Sequence, residues 1–217
     1  APPLAGTPTY RYSASTSLVE NRAASQLLSA LLDPLTGSSL QQRRSCFTDR
    51  RGESIAAPTL TLRDDPFLPR GLGSRLYDDD ALAARPRPLI SAGRLDDYLV
   101  DVYYGRKLGR APSCGSTSNL LLLPGELTPE ALIGAAGDGF LVQSFLGGNA
   151  NASTGDFSFG VSGQAIRRGA LAEPVAEMNI TGSSTTLWKG LVAVGNDPHP
   201  WSSWRLPSLL FTDVQFS

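Results

Sequence analysis

The sequence predicts an α+β domain with more strand than helix. Three observations carry that expectation. Its 22 glycines and 16 prolines are spread along 217 residues as turn punctuation, which marks many short elements. Several stretches alternate apolar and polar residues, the period of a half-buried strand. No regular succession of strand and helix runs along the chain, so a doubly wound parallel sheet is not expected.

The elements follow in order. Residues 1–17 are polar and Pro-rich and read as a flexible lead-in. Residues 21–33 read as a helix. Asn21 is its candidate cap, Leu27, Leu28, Leu31, Leu32 and Leu35 fall at helical spacing, and Pro34 and Gly37 end it. The opposite face carries Ser25, Ser29 and Asp33, with Ala30 beside it. Residues 45–66 alternate around a turn at Arg51-Gly52 and read as strands ending at Asp64-Asp65-Pro66. Residues 68–80 read as loop. Residues 89–109 support two readings: Leu95, Tyr98, Leu99 and Val102 fit a helix, while "LISAGRL" fits a hairpin around Gly93.

Signals are sharper after residue 127. Thr128 is an N-cap, Pro129 a first-turn proline, Glu130 favours the helix start and Gly137 stops it. "GFLVQSFLG" reads as a strand. "FSFGVSGQAIRRG" alternates Phe157, Phe159 and Val161 and turns at Arg168-Gly169, with "PVAEMNI" as hairpin partner. Residues 183–195 read as helix, with Leu187, Leu191 and Val194 on one face. Residues 205–216 read as a closing strand.

The bulk numbers exclude several classes. The hydrophobic content of 41% is enough for a core, and the net charge of −1 offers no field for nucleic acid. No run approaches eighteen apolar residues, so no membrane helix is expected. Cys46 and Cys114 are too few for a disulfide scaffold and read as reduced thiols of a cytoplasmic protein. The chain starts at Ala1 without a signal-peptide pattern, as expected of a processed chain, a trimmed one or part of a longer one.

Candidate chemistry is sparse. His199 is the one histidine; it lies between prolines, and no nucleophile elbow accompanies it. Zinc held by His199 with Cys46 and Cys114 lacks ligand spacing. Asp64, Asp65, Asp78, Asp79 and Asp80 read as solvated loop carboxylates, without the alternating pattern of an EF-hand. No glycine-rich stretch has phosphate-loop spacing. Asn151-Ala152-Ser153 and Asn179-Ile180-Thr181 match glycosylation acceptors, which without a secretion signal read as chance. In "CGSTSNLLLLPGE" small polar residues lead into an apolar run. That is either a groove edge offering main-chain hydrogen bonds to a peptide or a tight packing site, and composition favours packing.

Six stretches together, "TLTLRDDPFLPRGLGSRLYDDD", "LISAGRLDDYLVDVYYGRKLG", "CGSTSNLLLLPGE", "STGDFSFGVSGQAI", "EPVAEMNITG" and "LVAVGNDPH…PSLLF", resemble the TldD/TldE (PmbA) family, once described as modulators of DNA gyrase. The resemblance covers residues 18–217. It implies the C-terminal domain of a two-domain protein about twice this long, a strand-rich, barrel-like mixed or antiparallel sheet with a few flanking helices. The resemblance leads to the expectation that the family's N-terminal domain is absent here, or is carried on a separate chain. In the TldD branch the helix opening this domain carries a His-Glu-x-x-x-His zinc motif, joined by a cysteine near the end. Laid on this chain, the motif puts Ser29 and Ala30 at the first His and the Glu, and Pro34 at the second His. Gly195-Asn196-Asp197 brings no cysteine.

The resemblance therefore implies the TldE/PmbA-like branch: a non-catalytic partner of a TldD-like zinc metallopeptidase, without metal or cofactor of its own, that helps form a channel for extended or unfolded peptide. Neither nucleic acid nor membrane is an expected partner. The residues expected to bind peptide are Gly115, Ser116, Thr117, Ser118 and Asn119, with Gly155, Asp156, Phe157 and Ser158. Two rivals remain: a hydrolase using His199 or an aspartate-bound metal, and a half-length binding or assembly module.

Overall fold

The computed structural model describes residues 15–217. Ser15–Val19 form strand β1, so residues 15–17 of the expected lead-in are part of the sheet, and the rest of it lies outside the described residues. Helix α1 (Ala24–Leu32) follows and tightens into a 3-10 turn over Asp33–Leu35. Its cap is Ala23 rather than Asn21. Asn21 is drawn away by a tertiary partner: its Nδ2 donates to the Asp197 carbonyl (2.7 Å) and carboxylate (3.2 Å). Gly37 opens a further helix, α2 (Gly37–Gln41), capped by Thr36.

Most of residues 45–66 fold as turns, against the expectation of strands. Their N–H groups bond locally or to distant loops, as Arg50 does to Phe47 O and Cys46 to Ala152 O, and β2 (Leu62–Asp64) is the one strand there. Both readings of residues 89–109 hold in part. β3 (Arg87–Ser91) and β4 (Arg94–Leu95) form the hairpin, and α3 (Val102–Leu108) starts later, capped by Asp101. β5 (Leu120–Leu122) precedes α4 (Pro129–Ala136), where Thr128 Oγ1 accepts from Ala131 N as expected.

Three long strands follow, β6 (Gly139–Ala150), β7 (Asp156–Arg167) and β8 (Ala170–Ser183). The expected helix over residues 183–195 is only α5 (Ser184–Leu187) and a 3-10 turn. Leu191 and Val194 belong to β9 (Leu191–Val194), because the neighbouring strand captures them in pairs with Phe211 and Leu209. β10 (Trp204–Arg205) and β11 (Leu209–Phe216) end the described chain.

The barrel-like expectation holds. Strands run β1-β6-β7-β8-β11, and β1 also pairs with β11, closing a five-stranded barrel with β9 added beside β11. β1 lies parallel to β6 and antiparallel to β11, so the barrel is mixed. A second sheet has the order β10-β5-β2-β3-β4. The larger core joins α1, the second sheet and one face of the barrel around Trp188, Phe47 and Phe211. On the barrel's other face Leu18, Leu141, Ile166 and Leu210 pack under Leu132 and Ala136 of α4. The alternation of Leu18 and Val19 between these two clusters is the period of two expressed in packing.

Candidate functional site

α1 buries Leu27, Leu28, Leu31 and Leu32 and leaves Ser25, Gln26, Ser29 and Asp33 exposed; Ala30 and Pro34 are buried. Facing this exposed side is the far end of β6. β1 pairs with β6 only from Gly139 to Val142, and the chain then departs toward α1 after Glu20 N bonds Val142 O. Beyond that point β6 pairs on one side only, with β7. Among the described residues the other edge of β6, from Gln143 to Ala150, has no backbone partner.

A bulge shapes this edge. Phe145 pairs with Val161 and Gly148 with Phe159, so Leu146 and Gly147 oppose the single Gly160. Gly147 and Gly148 have φ of +114° and +131°, and a Cβ on Gly148 would stand 2.1 Å from Ser158 O. Both constraints demand glycine at Gly148. Between α1 and this edge lies an open cleft of about 250 Å³, lined by Gln26, Ser29, Ala30, Asp33 and Asn149 and floored by Phe159. It continues past Asp33 and Asn149 into a second space of about 480 Å³ along Ser38, Gln42, Arg44 and Asn151. The two together form a polar trough beside an unpaired strand edge, which is what an extended peptide needs for main-chain pairing.

The sequence-predicted residues divide between the two sheets. Gly155 donates to Asn151 O (2.7 Å) and accepts from Ser184 N (2.8 Å) in the turn before β7. Asp156, Phe157 and Ser158 sit in β7 with β6 on one side and β8 on the other, so they back the cleft and do not form its edge. Phe157 and Phe159 are buried and stacked at 5.4 Å.

Residues 115–119 lead into β5 in the second sheet, and their polar groups are largely used within the fold. Arg75 Nη2 donates to Ser116 O (2.8 Å), as does Cys114 Sγ, and Ser116 Oγ donates to Asp79 (2.8 Å). Ser118 N and Oγ both donate to Asp64 Oδ1. The Asn119 side chain, fully buried, accepts from Gly73 N (2.9 Å) and donates to Asp65 O (2.8 Å) and Ser74 Oγ (3.0 Å). A Cβ on Gly115 would meet Asp101 Cβ at 2.7 Å, and Thr117 is half-buried.

The aspartates are not all solvated. Asp64 is 2% exposed and is held by Arg87, which is 8% exposed, through Nη2 at 3.1 Å and Nε at 3.3 Å. Asp78 is buried and accepts from Asp80 N and Leu82 N, while Asp80 accepts from Val102 N. These carboxylates order loops because unfilled backbone donors sit beside them. Asp197, two residues before His199, is engaged by Ser208 and Asn21; the His199 backbone bonds Leu206 O. Cys46 and Cys114 are free, half-buried thiols, and burial raises both pKa values above the ordinary 9.0. Among the described residues no group of three or more His, Cys, Asp or Glu side chains is arranged to hold a metal ion. At the positions the resemblance aligns with the zinc motif stand a hydroxyl, a methyl and a proline ring, which do not fit zinc.

Sequence reasoning missed the β6 edge. Its one signal was the glycine pair in "FLGGNA": glycine inside a strand pattern marks a bulge or a close approach.

Fold and cleft together define a closed-barrel α+β domain with an open strand edge beside a polar helix face. The chain belongs to the PmbA/TldD family: a model described as the PmbA/TldA metallopeptidase C-terminal domain matches residues 14–217. It is 31% identical to a metalloprotease PmbA homolog of Haemophilus influenzae over 91% of this chain and 44% of that protein. It is 29% identical to metalloprotease PmbA of Escherichia coli O157:H7 over the same shares. A crystal structure from Bacteroides thetaiotaomicron, of a candidate modulator of DNA gyrase, superposes with a TM-score of 0.94 at 42% identity, covering 98% of this chain and 48% of that one. TldE from Thermococcus kodakarensis shares the fold, with a TM-score of 0.86 at 22% identity over 96% of this chain and 51% of its own. The chain thus spans about half the length of the relatives it matches. Among the described residues no helix is long and apolar enough to cross a membrane.

Proposed function

We propose that this chain is the PmbA/TldE-like, non-catalytic half of a cytoplasmic metallopeptidase assembly. It pairs with a TldD-like, zinc-bearing subunit and guides extended peptide toward that subunit's site. The observation that carries the reading is the unpaired edge of β6 running beside an α1 face that presents Ser29 and Asp33. A peptide added to that edge gains main-chain hydrogen bonds with little demand on its sequence, which suits unfolded substrates. Neither Ser29, Ala30 nor Pro34 supplies an imidazole ligand or a general base, so hydrolysis is assigned to the partner. Gly155 to Ser158 support the cleft from behind, and residues 115–119 order the second sheet.

The test is reconstitution. Mixed with a TldD-like subunit, the chain should form a stoichiometric complex that degrades unstructured peptide. Ala150→Pro, which removes an N–H that the pairing with β7 leaves facing the open edge, should slow that degradation while the complex persists. Undiminished cleavage in the absence of this chain would sink the partner role. Tightly bound stoichiometric zinc on the isolated chain would sink the non-catalytic role.

A further inference from the structure

Two guanidinium nitrogens beside the second sheet are buried without a partner among the described residues. Arg87 lies in β3 and is 8% exposed. Its Nε and Nη2 hold Asp64, while its Nη1 has no hydrogen-bond partner. Asp64 has no room for it. That carboxylate already accepts from Ser118 N, Ser118 Oγ, Arg87 Nε and Arg87 Nη2, which fills its lone pairs. Arg75, in the loop between β2 and β3, repeats the pattern. Its Nη2 donates to Ser116 O (2.8 Å) and its Nη1 faces Asp79 at 3.7 Å, which leaves the buried Nε without an acceptor. Buried N–H groups of a charged side chain are costly to leave unmatched, so both require an acceptor.

Both arginines line one cavity of about 10 Å³, with the exposed Ala83 and Arg85 at its rim. That is room for a single water-sized occupant, and too little for phosphate, sulfate or a side chain. Its charged lining is Arg75, Arg85 and Arg87 against Asp64 and Asp78, three cations to two anions. Asp79 does not line it and is 81% exposed, so solvent screens its charge. The Cys114 thiol on the wall donates its proton to Ser116 O and adds no charge.

We propose that this cavity binds one monovalent halide ion, chloride being the ordinary one, between Arg75 Nε and Arg87 Nη1. A water there would accept the two N–H groups but leave the extra positive charge uncompensated. A halide accepts both and neutralises it, which matters most where burial strengthens the field. The ion ties three segments together: the loop carrying Arg75, strand β3 through Arg87, and the approach to β5 through Cys114. The site is formed by the second sheet and its loops, apart from the β6 cleft, and does not depend on the peptide-guiding role.

Melting curves of the 217-residue chain in sodium chloride and in sodium gluconate, at matched ionic strength, test the site. Chloride should raise the midpoint saturably, by roughly 2–4 °C once it exceeds its dissociation constant several-fold, and gluconate should not. Hydrogen exchange at the Arg75 and Ala84 amides, both bonded within the loop, should slow in step. Arg75→Met removes Nε and should abolish the chloride response. In crystals soaked in bromide, the anomalous peak should sit between Arg75 Nε and Arg87 Nη1, a readout that needs no variant. Identical melting in the two salts overturns the proposal and assigns the cavity to water. So does an Arg75→Met chain that keeps the full chloride response. A bromide peak without saturable stabilisation marks an adventitious ion only, and overturns it too.

Discussion

Replacing Arg87 with leucine should destabilise the fold by about 3–5 kcal/mol, the usual result of stripping one partner from a buried ion pair. The structure supports that size. Both side chains are almost fully enclosed, and Asp64 Oδ2 receives two guanidinium nitrogens at 3.1 and 3.3 Å. At 3.1 Å and an effective dielectric constant of about 20, the attraction is about 5 kcal/mol. Desolvation of both ions offsets much of this in the native protein, but the variant keeps the penalty for Asp64 and loses the attraction. Asp64→Leu should cost a similar amount, because it leaves a buried guanidinium and the Ser118 N–H unmatched. The double variant should lose only about 2 kcal/mol, from the orphaned Ser118 groups. Urea unfolding followed by tryptophan fluorescence, with the buried Trp188 as reporter, measures all four corners of this cycle. Additive losses, or a single-variant loss below about 1 kcal/mol, would refute the reasoning and place the pair among those that contribute little.

Three further outcomes are expected. Gly148→Ala should lower stability by more than about 2 kcal/mol, since it meets both an adverse φ and the Ser158 carbonyl, whereas Gly147→Ala, with open space around it, should cost about 1 kcal/mol; thermal melts separate the two. Asn119→Ala should cost about 1–3 kcal/mol and speed hydrogen exchange at Gly73, leaving the barrel strands protected. Stability should fall at alkaline pH. Burial raises Cys46, Cys114 and Tyr98 above their ordinary values of 9.0 and 10.0, so the folded chain keeps protons that the unfolded chain has released. The contribution is full below about pH 9 and is lost as pH climbs through the folded values; urea midpoints on either side of pH 9 report it.

What could be read in advance depended on whether the determining contact was local. The α4 start was legible because Thr128 and Pro129 act within one turn. The β7–β8 hairpin was legible because its alternation and its Arg168-Gly169 turn are adjacent in sequence. Asn21 was misjudged as a cap because its partner, Asp197, lies at the other end of the chain. Leu191 and Val194 fit a helix until β11 offers a strand to pair with. The candidate site shows the same divide. The polar face of α1 follows from its own periodicity, but an unpaired edge exists only by virtue of where β1 stops, and no stretch of β6 records that.

β1 has a consequence for how the molecule is assembled. Its five residues pair with β6 through Ser17–Phe140 and Val19–Val142, and with β11 through Ser17–Phe211 and Val19–Leu209. The ring is therefore shut by contacts between segments far apart along the chain, the kind that makes folding slow. On a ribosome β1 is made before both of its neighbours and finds the second only when β11 has been made. Until then the unclosed strands remain exposed, and that interval is when the protein is most open to capture by chaperones or by other nascent chains.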